Sequence, residues 1–245
     1  MGKQKTPLPF LRRLEDFFIP SMCIICDGAR DRDDNWFCQI CVDALAVNYS
    51  RRDACPRCSQ NRRKRECACE LAWDYPFEKV LSAYDYDDTV SAIVHHIKYK
   101  GKSQLAYHIG FITAPLLPRE FFSEINFYIP VPLHKARAQR RGYNQAEYFA
   151  RGLLRGLGHD LKMLRTDLLA RVKNTGTQTK LDKDERLKNL DGAFTVSPGN
   201  IIEMTGKRVA LVDDVMTTGA TAEACTEELL RAGCASVRVV SLGKR

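Results

Sequence analysis

The sequence predicts an α/β fold in which a parallel sheet is flanked by helices, with a small cysteine-rich module ahead of it. Two observations indicate this. From residue 73 onward, apolar runs typical of buried strands alternate with stretches of helical periodicity. Ahead of them, eight of the ten cysteines lie between Cys23 and Cys69. We therefore expect an N-terminal arm (1–20), a cysteine-rich module (21–72) and an α/β domain (73–245).

Composition and charge exclude several classes of protein. The 245 residues are 44% hydrophobic and 28% charged, which argues against wholesale disorder and against a coiled coil. No apolar run approaches the ~20 residues of a membrane-spanning helix, so we expect no membrane span. The N-terminal residues lack a secretory pattern, which predicts a reducing, cytoplasmic location. A formal net charge of +8 permits phosphate or nucleic-acid partners without requiring them.

The clustered cysteines have the spacing of metal ligands. Zn²⁺ takes four thiolates in a tetrahedron, and a tight turn between two cysteines presents both sulfurs to one ion. This pattern predicts a double zinc ribbon holding two structural Zn²⁺, with no open position for catalysis. The last pair is Cys-x-Cys, so the geometry of the second site and a cross-braced pairing stay open. The pairs are Cys23 with Cys26, Cys38 with Cys41, Cys55 with Cys58, and Cys67 with Cys69.

Local signals place the elements of the α/β domain in order. Asp87 or Asp88 is suited to begin a helix, Pro118 stops the next one, and Gly233 closes the last. Apolar runs rich in β-branched and aromatic residues mark the strands. We predict strands over 80–86, 127–132, 167–172, 209–212 and 236–242, helices over 88–97, 104–117, 140–157 and 220–231, and a loop over 213–219.

The most informative segment for function is 209–221. Its four apolar residues bring the chain to the carboxyl edge of the sheet, where open α/β folds bind ligands. The backbone N–H groups and hydroxyls of 217–221, at a helix N-terminus, are suited to hold a phosphate, and Gly219 allows the backbone to approach it. Asp213 and Asp214 would repel a phosphate, but they suit sugar hydroxyls or a Mg²⁺ complex. The predicted ligand has a phosphate at one end and a polyol at the other.

This segment resembles the loop of type I phosphoribosyltransferases that binds 5-phosphoribosyl-1-diphosphate (PRPP). The resemblance implies a phosphoribosyltransferase-like parallel sheet and a ligand that binds as PRPP with Mg²⁺. It also implies that Asp213 and Asp214 face the ribose 2- and 3-hydroxyls as the catalytic pair. The residues expected to hold the ribose 5-phosphate are Thr217, Thr218, Gly219, Ala220 and Thr221.

The chain as a whole resembles the ComF family of competence-associated proteins, which includes the GntX-type proteins. Besides the cysteine module, segments 97–101 and 130–147 and the stretch from Arg171 to Phe194 carry the likeness. It implies that cationic donors after Pro132 stabilise the leaving diphosphate, and that 173–191 is a hood over the substrate. The candidate diphosphate contacts are His134, Lys135, Arg141, Lys98 and Lys100.

Two classes of function follow. The first is a phosphoribosyltransferase that transfers the pentosyl group of PRPP to an acceptor that the sequence does not identify, a nucleobase in salvage being one alternative. The second is a non-catalytic adaptor that senses PRPP or binds DNA. The ComF resemblance implies handling of incoming single-stranded DNA during natural competence, beside a helicase-like partner. The candidate DNA contacts are Arg62, Arg63, Lys64 and Arg65.

Overall fold

The computed structural model describes residues 22–30, 36–48, 54–62, 66–67, 69, 74–173 and 189–245. The predicted N-terminal arm (1–20) and most of the predicted hood lie outside these residues. The chain divides into two compact units, Met1–Asn48 and Tyr49–Arg245. The second half of the cysteine-rich module thus groups with the α/β body, and the three-part division made from composition stays a prediction.

The secondary structure follows the predicted alternation of strands and helices. The strands are β1 (Lys79–Asp85), β2 (Phe127–Pro130), β3 (Leu169–Arg171), β4 (Phe194–Val196), β5 (Arg208–Met216) and β6 (Ser236–Lys244). The helices are α1 (Gln39–Asn48), α2 (Asp88–Tyr99), α3 (Ser103–Thr113), α4 (Lys135–Arg141), α5 (Gln145–Leu157), α6 (Ile201–Met204) and α7 (Ala220–Arg231). No helix among the described residues is long and apolar enough to cross a lipid bilayer.

A four-stranded parallel sheet forms the centre of the second unit, which confirms the predicted fold class. Its strand order is β1-β6-β5-β2, and every neighbouring pair is parallel. The run Val209–Val212 is fully buried in the middle of this sheet, as its uninterrupted apolar sequence requires. Strands β3 and β4 form a separate antiparallel hairpin, in which Arg171 pairs with Phe194.

Helices α3 and α5 pack together at close range. An added Cβ on Gly152 would overlap the carbonyl oxygen of Tyr107, and one on Gly110 would overlap that of Phe149. Only glycine allows the two backbones to come this near. The contact buries the apolar face of α5, including Phe149, Leu153 and Leu154.

Two predicted boundaries were wrong. The helix expected over 140–157 is two helices, because Gly142 adopts a left-handed conformation (φ 81°) that ends α4, and Asn144 then accepts a hydrogen bond from Ala146 N–H to cap α5. The loop expected over 213–219 begins later, because β5 runs on to Met216 by pairing with β6. Asp213 and Asp214 therefore lie within a strand.

Candidate functional site

A cavity of about 380 Å³ lies at the connection between the end of β5 and the start of α7, at the carboxyl edge of the sheet. Parallel strands of an α/β sheet expose their carboxyl ends at one edge, so residues distant in sequence meet there. Six predicted ligand-binding residues line this cavity: Asp213, Asp214, Thr217, Thr218, Ala220 and Thr221. Gly219, between them, is buried and forms the N-cap of α7 with φ 89°.

The two carboxylates are fixed by the backbone and by a lysine. Oδ1 of Asp213 accepts a hydrogen bond from Asp214 N–H at 2.8 Å, and Oδ1 of Asp214 accepts one from Val215 N–H at 2.9 Å. Lys98 Nζ lies 2.8 Å from Asp214 Oδ2, and the Asp214 side chain is only 8% exposed. Of the two carboxylates that line the cavity, Asp214 is therefore paired with Lys98, and Asp213 lies next to this ion pair.

Burial and charge set the protonation of this group. Burial, followed by the negative charge of Asp214, raises the pKa of Asp213 to about 8, although Lys98 opposes the shift. Burial lowers the pKa of Lys98, but the carboxylates of Asp214 and Asp213 outweigh it, so that pKa is raised overall. The charged form of Lys98 is thus favoured, and ionisation of Asp213 beside Asp214 is disfavoured.

The segment predicted to bind phosphate is a loop followed by a helix N-terminus. Gly219 has no side chain that could accept hydrogen bonds from the amides in the first turn of α7. A side-chain acceptor near them is Thr218 Oγ1, which lies 3.5 Å from the nitrogen of Ala220. The partial positive charge of a helix N-terminus and its unpaired N–H groups attract anions. The loop and the two carboxylates thus offer groups suited to anions and to hydroxyls in the lining of one cavity.

Basic side chains also line the cavity. Arg141 donates to Gln145 Oε1, at the junction of α4 and α5. Arg171 lies over the ring of Phe194 at 5.3 Å, and burial together with the charge of Arg137 lowers its pKa. Arg245 lies over the ring of Tyr86 at 5.9 Å. The cationic side chains that line the cavity are Lys98, Arg137, Arg140, Arg141, Arg171 and Arg245, against two carboxylates.

The structure places the five candidate diphosphate contacts differently. Lys98 and Arg141 line the cavity, whereas Lys100, His134 and Lys135 are not among its lining residues. Nδ1 of His134 accepts a hydrogen bond from Ala136 N–H at 3.3 Å and so caps α4. Sequence reasoning passed over Arg171 and Arg245 as contacts. For Arg137 and Arg140 the sequence did contain a signal of a shared role. They lie three residues apart and close to Arg141, on what the structure shows to be one helix.

Eight cysteines form two groups of four. In each group the sulfur atoms all lie within 4.8 Å of one another, and Cys26 Sγ is 3.6 Å from Cys38 Sγ. Thiolates that share one tetrahedral Zn²⁺ at ~2.3 Å lie about 3.8 Å apart, so both groups could hold zinc. The first group is Cys23, Cys26, Cys38 and Cys41, and the second is Cys55, Cys58, Cys67 and Cys69.

The candidate DNA contacts are only partly described. Arg62 is exposed, directly after the turn that carries Cys55 and Cys58. Arg63, Lys64 and Arg65 lie outside the described residues.

Comparison with known proteins gives one domain and several relatives. A family model, "Phosphoribosyl transferase domain", matches residues 144–245. The DNA utilization protein YhgH of Salmonella typhi is 28% identical over 230 residues, covering 90% of this chain and 96% of the relative. Competence protein F of Haemophilus influenzae is 28% identical, covering 93% and 98%, and competence protein ComFC of Bacillus subtilis is 28% identical, covering 88% and 91%.

Among solved structures, a hypoxanthine phosphoribosyltransferase from Staphylococcus aureus is 15% identical over 58% of this chain and 65% of that chain, with a TM-score of 0.36.

Proposed function

Because the chain is a homologue of the ComF and YhgH proteins and carries a phosphoribosyl transferase domain, we propose that its cavity binds PRPP together with Mg²⁺. The observation that carries this proposal is the junction of β5 and α7. It combines a glycine-led helix N-terminus with two adjacent carboxylates, Asp213 and Asp214, on the wall of one cavity. The amides and hydroxyls of 217–221 would hold the 5-phosphate, and the carboxylates would receive the ribose hydroxyls.

The charge of the cavity supports a ligand with more than one phosphate group. Six cationic side chains line it against two carboxylates, and Lys98 is engaged with Asp214. Fixed cations in a cavity of low dielectric stabilise negative charge more strongly than they would in water. Arg137, Arg140 and Arg141 come from one helix, so they present a concentrated positive surface for the diphosphate.

The donor set also fits a magnesium ion. Mg²⁺ prefers carboxylate and phosphate oxygens and keeps several waters. Asp213 would be the protein group nearest to such an ion, since Asp214 already pairs with Lys98. When bound with PRPP, the ion supplies positive charge that the diphosphate and the paired carboxylates both need. Burial and the charge of Asp214 raise the pKa of Asp213, and such a cation would offset both by stabilising its ionised form.

We propose pentosyl transfer as the chemistry. A nucleophilic acceptor forms a bond to C1 of the ribose while the bond from C1 to the diphosphate oxygen breaks, and the diphosphate leaves with the electron pair. The chain would act by positioning the ribose and by stabilising the negative charge on the leaving group. A nucleobase in salvage is one acceptor. Without an acceptor, the same binding would make the domain a sensor of PRPP.

Calorimetric titration tests the binding. PRPP with MgCl₂ should bind the wild type at micromolar to millimolar concentration and raise its Tm. A variant with Asp213→Asn and Asp214→Asn should lose both effects. The control variant, Asp167→Asn with Glu203→Gln, removes two carboxylates that bind Arg165 and do not line the cavity, so it should bind normally. The proposal would be wrong if the wild type neither bound PRPP at millimolar concentration nor showed an increase in Tm. Release of pyrophosphate with a panel of bases then distinguishes a transferase from a sensor.

A role in handling single-stranded DNA is the second candidate, because the relatives bear the names DNA utilization protein and competence protein. The helicase-like partner stays a prediction. Changing Arg62, Arg63, Lys64 and Arg65 to Gln should weaken binding of a labelled oligonucleotide and reduce the slope of log K against log salt by about 3. The control changes four exposed cations, Arg151, Arg155, Lys162 and Arg231. Equal affinity of the two variants would place DNA contact elsewhere.

We also propose that both cysteine groups bind structural Zn²⁺, because four thiolates per ion leave no open position. Such ligands persist where thiols stay reduced, which supports the predicted cytoplasmic location.

A further inference from the structure

Tyr75 lies against the loop that forms the phosphate side of the cavity, although it does not line the cavity itself. Its hydroxyl donates a hydrogen bond to the Thr218 carbonyl oxygen at 3.1 Å. Its ring covers Gly219, with Cε1 only 3.0 Å from the place that a Cβ on this glycine would occupy. The ring is itself held by stacking on buried Phe77, at 4.9 Å between centroids and an interplanar angle of 17°. Tyr75 thus makes two different contacts to two successive loop residues.

The hydrogen bond fixes the orientation of one peptide group. In a trans peptide the C=O and the N–H of the next residue lie in one plane and point in opposite directions. Since the carbonyl of Thr218 points to Tyr75, the N–H of Gly219 must point away from Tyr75. The loop residues on either side, Thr218 and Ala220, line the cavity, whereas Tyr75 does not.

We propose that Tyr75 is a positioning residue that holds the Thr218–Gly219 peptide with its N–H toward the phosphate of the ligand. This inference rests on the proposed function, since it concerns the same site. Tyr75 acts through the loop and does not touch the ligand. It precedes β1 in the chain, some 140 positions before the loop that it orients.

The glycine and the tyrosine are complementary. Gly219 has φ 89°, a conformation that side chains other than glycine adopt only with strain. The space that a side chain would need there is filled by the ring of Tyr75. An anion-binding loop gains affinity when its donors are already oriented, because the ligand then need not order them. Without the tyrosine hydroxyl, the peptide can rotate and its N–H is no longer held toward the cavity.

The test compares two tyrosine-to-phenylalanine variants. Tyr75→Phe removes the hydroxyl and keeps the ring over Gly219. Tyr84→Phe is the matched control, because the hydroxyl of buried Tyr84 bonds Thr113 Oγ1 at 3.0 Å and Tyr84 does not line the cavity. We expect Tyr75→Phe to weaken the binding of PRPP with MgCl₂ by roughly 3- to 10-fold, the equivalent of one hydrogen bond. Tyr84→Phe should leave the affinity unchanged, measured well below the Tm of both variants.

A second measurement on the ligand-free protein separates this inference from the proposed function. ¹⁵N relaxation should give a lower order parameter for the Gly219 amide in Tyr75→Phe than in the wild type, and no change in Tyr84→Phe. Equal affinities and equal order parameters in all three proteins would overturn the positioning role. If the wild type fails to bind PRPP, the proposed function falls, and the order parameter alone then decides whether Tyr75 holds the loop.

Discussion

Two of the three Cys-x-x-Cys pairs, Cys23–Cys26 and Cys55–Cys58, lie in turns with the same backbone. In each, the first cysteine donates its N–H to a carbonyl five residues later, to Gly28 at 2.7 Å and to Gln60 at 2.8 Å. In each, the residue four positions after that cysteine is left-handed, Asp27 with φ 55° and Ser59 with φ 57°. Isolated bridges close both turns in equivalent positions, between residues 22 and 29 and between 54 and 61.

The surroundings of the turns differ. Asp27 and Cys26 are exposed, whereas their counterparts Ser59 and Cys58 are buried. Ser59 Oγ donates to the Val80 carbonyl at 2.9 Å and accepts from Ser82 N–H at 3.1 Å, so it bonds directly to β1. Further bonds tie the second turn to the sheet: Val80 N–H to the Arg57 carbonyl at 2.7 Å, Asn61 to Asp85 at 2.9 Å, and Lys244 Nζ to the Cys58 carbonyl at 2.7 Å.

The difference teaches that two turns with the same cysteine spacing and the same backbone can have different roles in the fold. That role depends on one or two neighbours. A polar residue with a short side chain at position 59 reaches the strand backbone, whereas an aspartate in the equivalent place faces solvent. The second turn is consequently a part of the α/β body and the first belongs to a compact unit of its own.

The largest expected effect comes from removing one metal site at a time. Cys55→Ser with Cys58→Ser should release one zinc and loosen the turn from β1, at a cost of roughly 3 kcal/mol for about three hydrogen bonds. The main calorimetric transition should then fall by about 6–12 °C.

The matched variant, Cys23→Ser with Cys26→Ser, should also lose one zinc but leave that transition within about 2 °C. Metal analysis should give two zinc ions per wild-type chain and one in each variant. Equal falls in Tm would contradict the conclusion that only the second turn stabilises the α/β body. A single zinc in the wild type would show that the group containing the Cys-x-Cys pair does not bind zinc.

A smaller effect is expected at the left-handed positions. Ser59→Ala leaves the Val80 carbonyl and the Ser82 N–H without their buried partner, which should cost about 1–3 kcal/mol in urea unfolding of the α/β body. Asp27→Ala is the counterpart in the first turn, where the side chain is exposed and belongs to the other unit, so the same measurement should show less than about 0.5 kcal/mol. The reverse order would mean that the turn itself, and not its bond to β1, sets the stability.

The smallest effect is expected at Lys244. Lys244→Met keeps the aliphatic stem and removes the donor to the Cys58 carbonyl, which should lower the free energy of unfolding by about 0.5–1.5 kcal/mol. Lys207→Met, a lysine between α6 and β5, serves as the control and should change it by less than about 0.5 kcal/mol. Denaturant midpoints that move together in the two variants would argue that this bond does not hold the turn to the sheet.

Features that depend on neighbouring residues could be predicted from the sequence. Asp87 accepts the Val90 N–H and begins α2, and Gly233, with φ 90°, follows the end of α7. Both follow from local capping rules. The two groups of four cysteines could be predicted equally well, because paired cysteines at those spacings are typical of metal-binding turns.

Features that depend on tertiary pairing could not be predicted. β5 continues through Asp213 and Asp214 because Val215 and Met216 pair with Gly243 and Lys244, far away in the sequence. Arg171 and Arg245 reach the cavity from the β3–β4 hairpin and from the end of β6, and nothing in their local sequence marks them as ligand contacts. The contact between Tyr75 and Gly219 is of the same kind. The ligand assigned to the site stays a proposal.

The strand order has a consequence for how the protein is made. Among the described strands, β1 pairs only with β6 and β2 only with β5. The two edge strands, β1 and β2, are therefore synthesised before the two central strands with which they pair. Such distant pairings slow folding, because the entropy of closing a long loop is lost before any contact between the strands compensates for it. A nascent chain that has emerged only as far as α5 therefore carries β1 and β2 without their neighbours in the sheet, a state in which aggregation competes with folding.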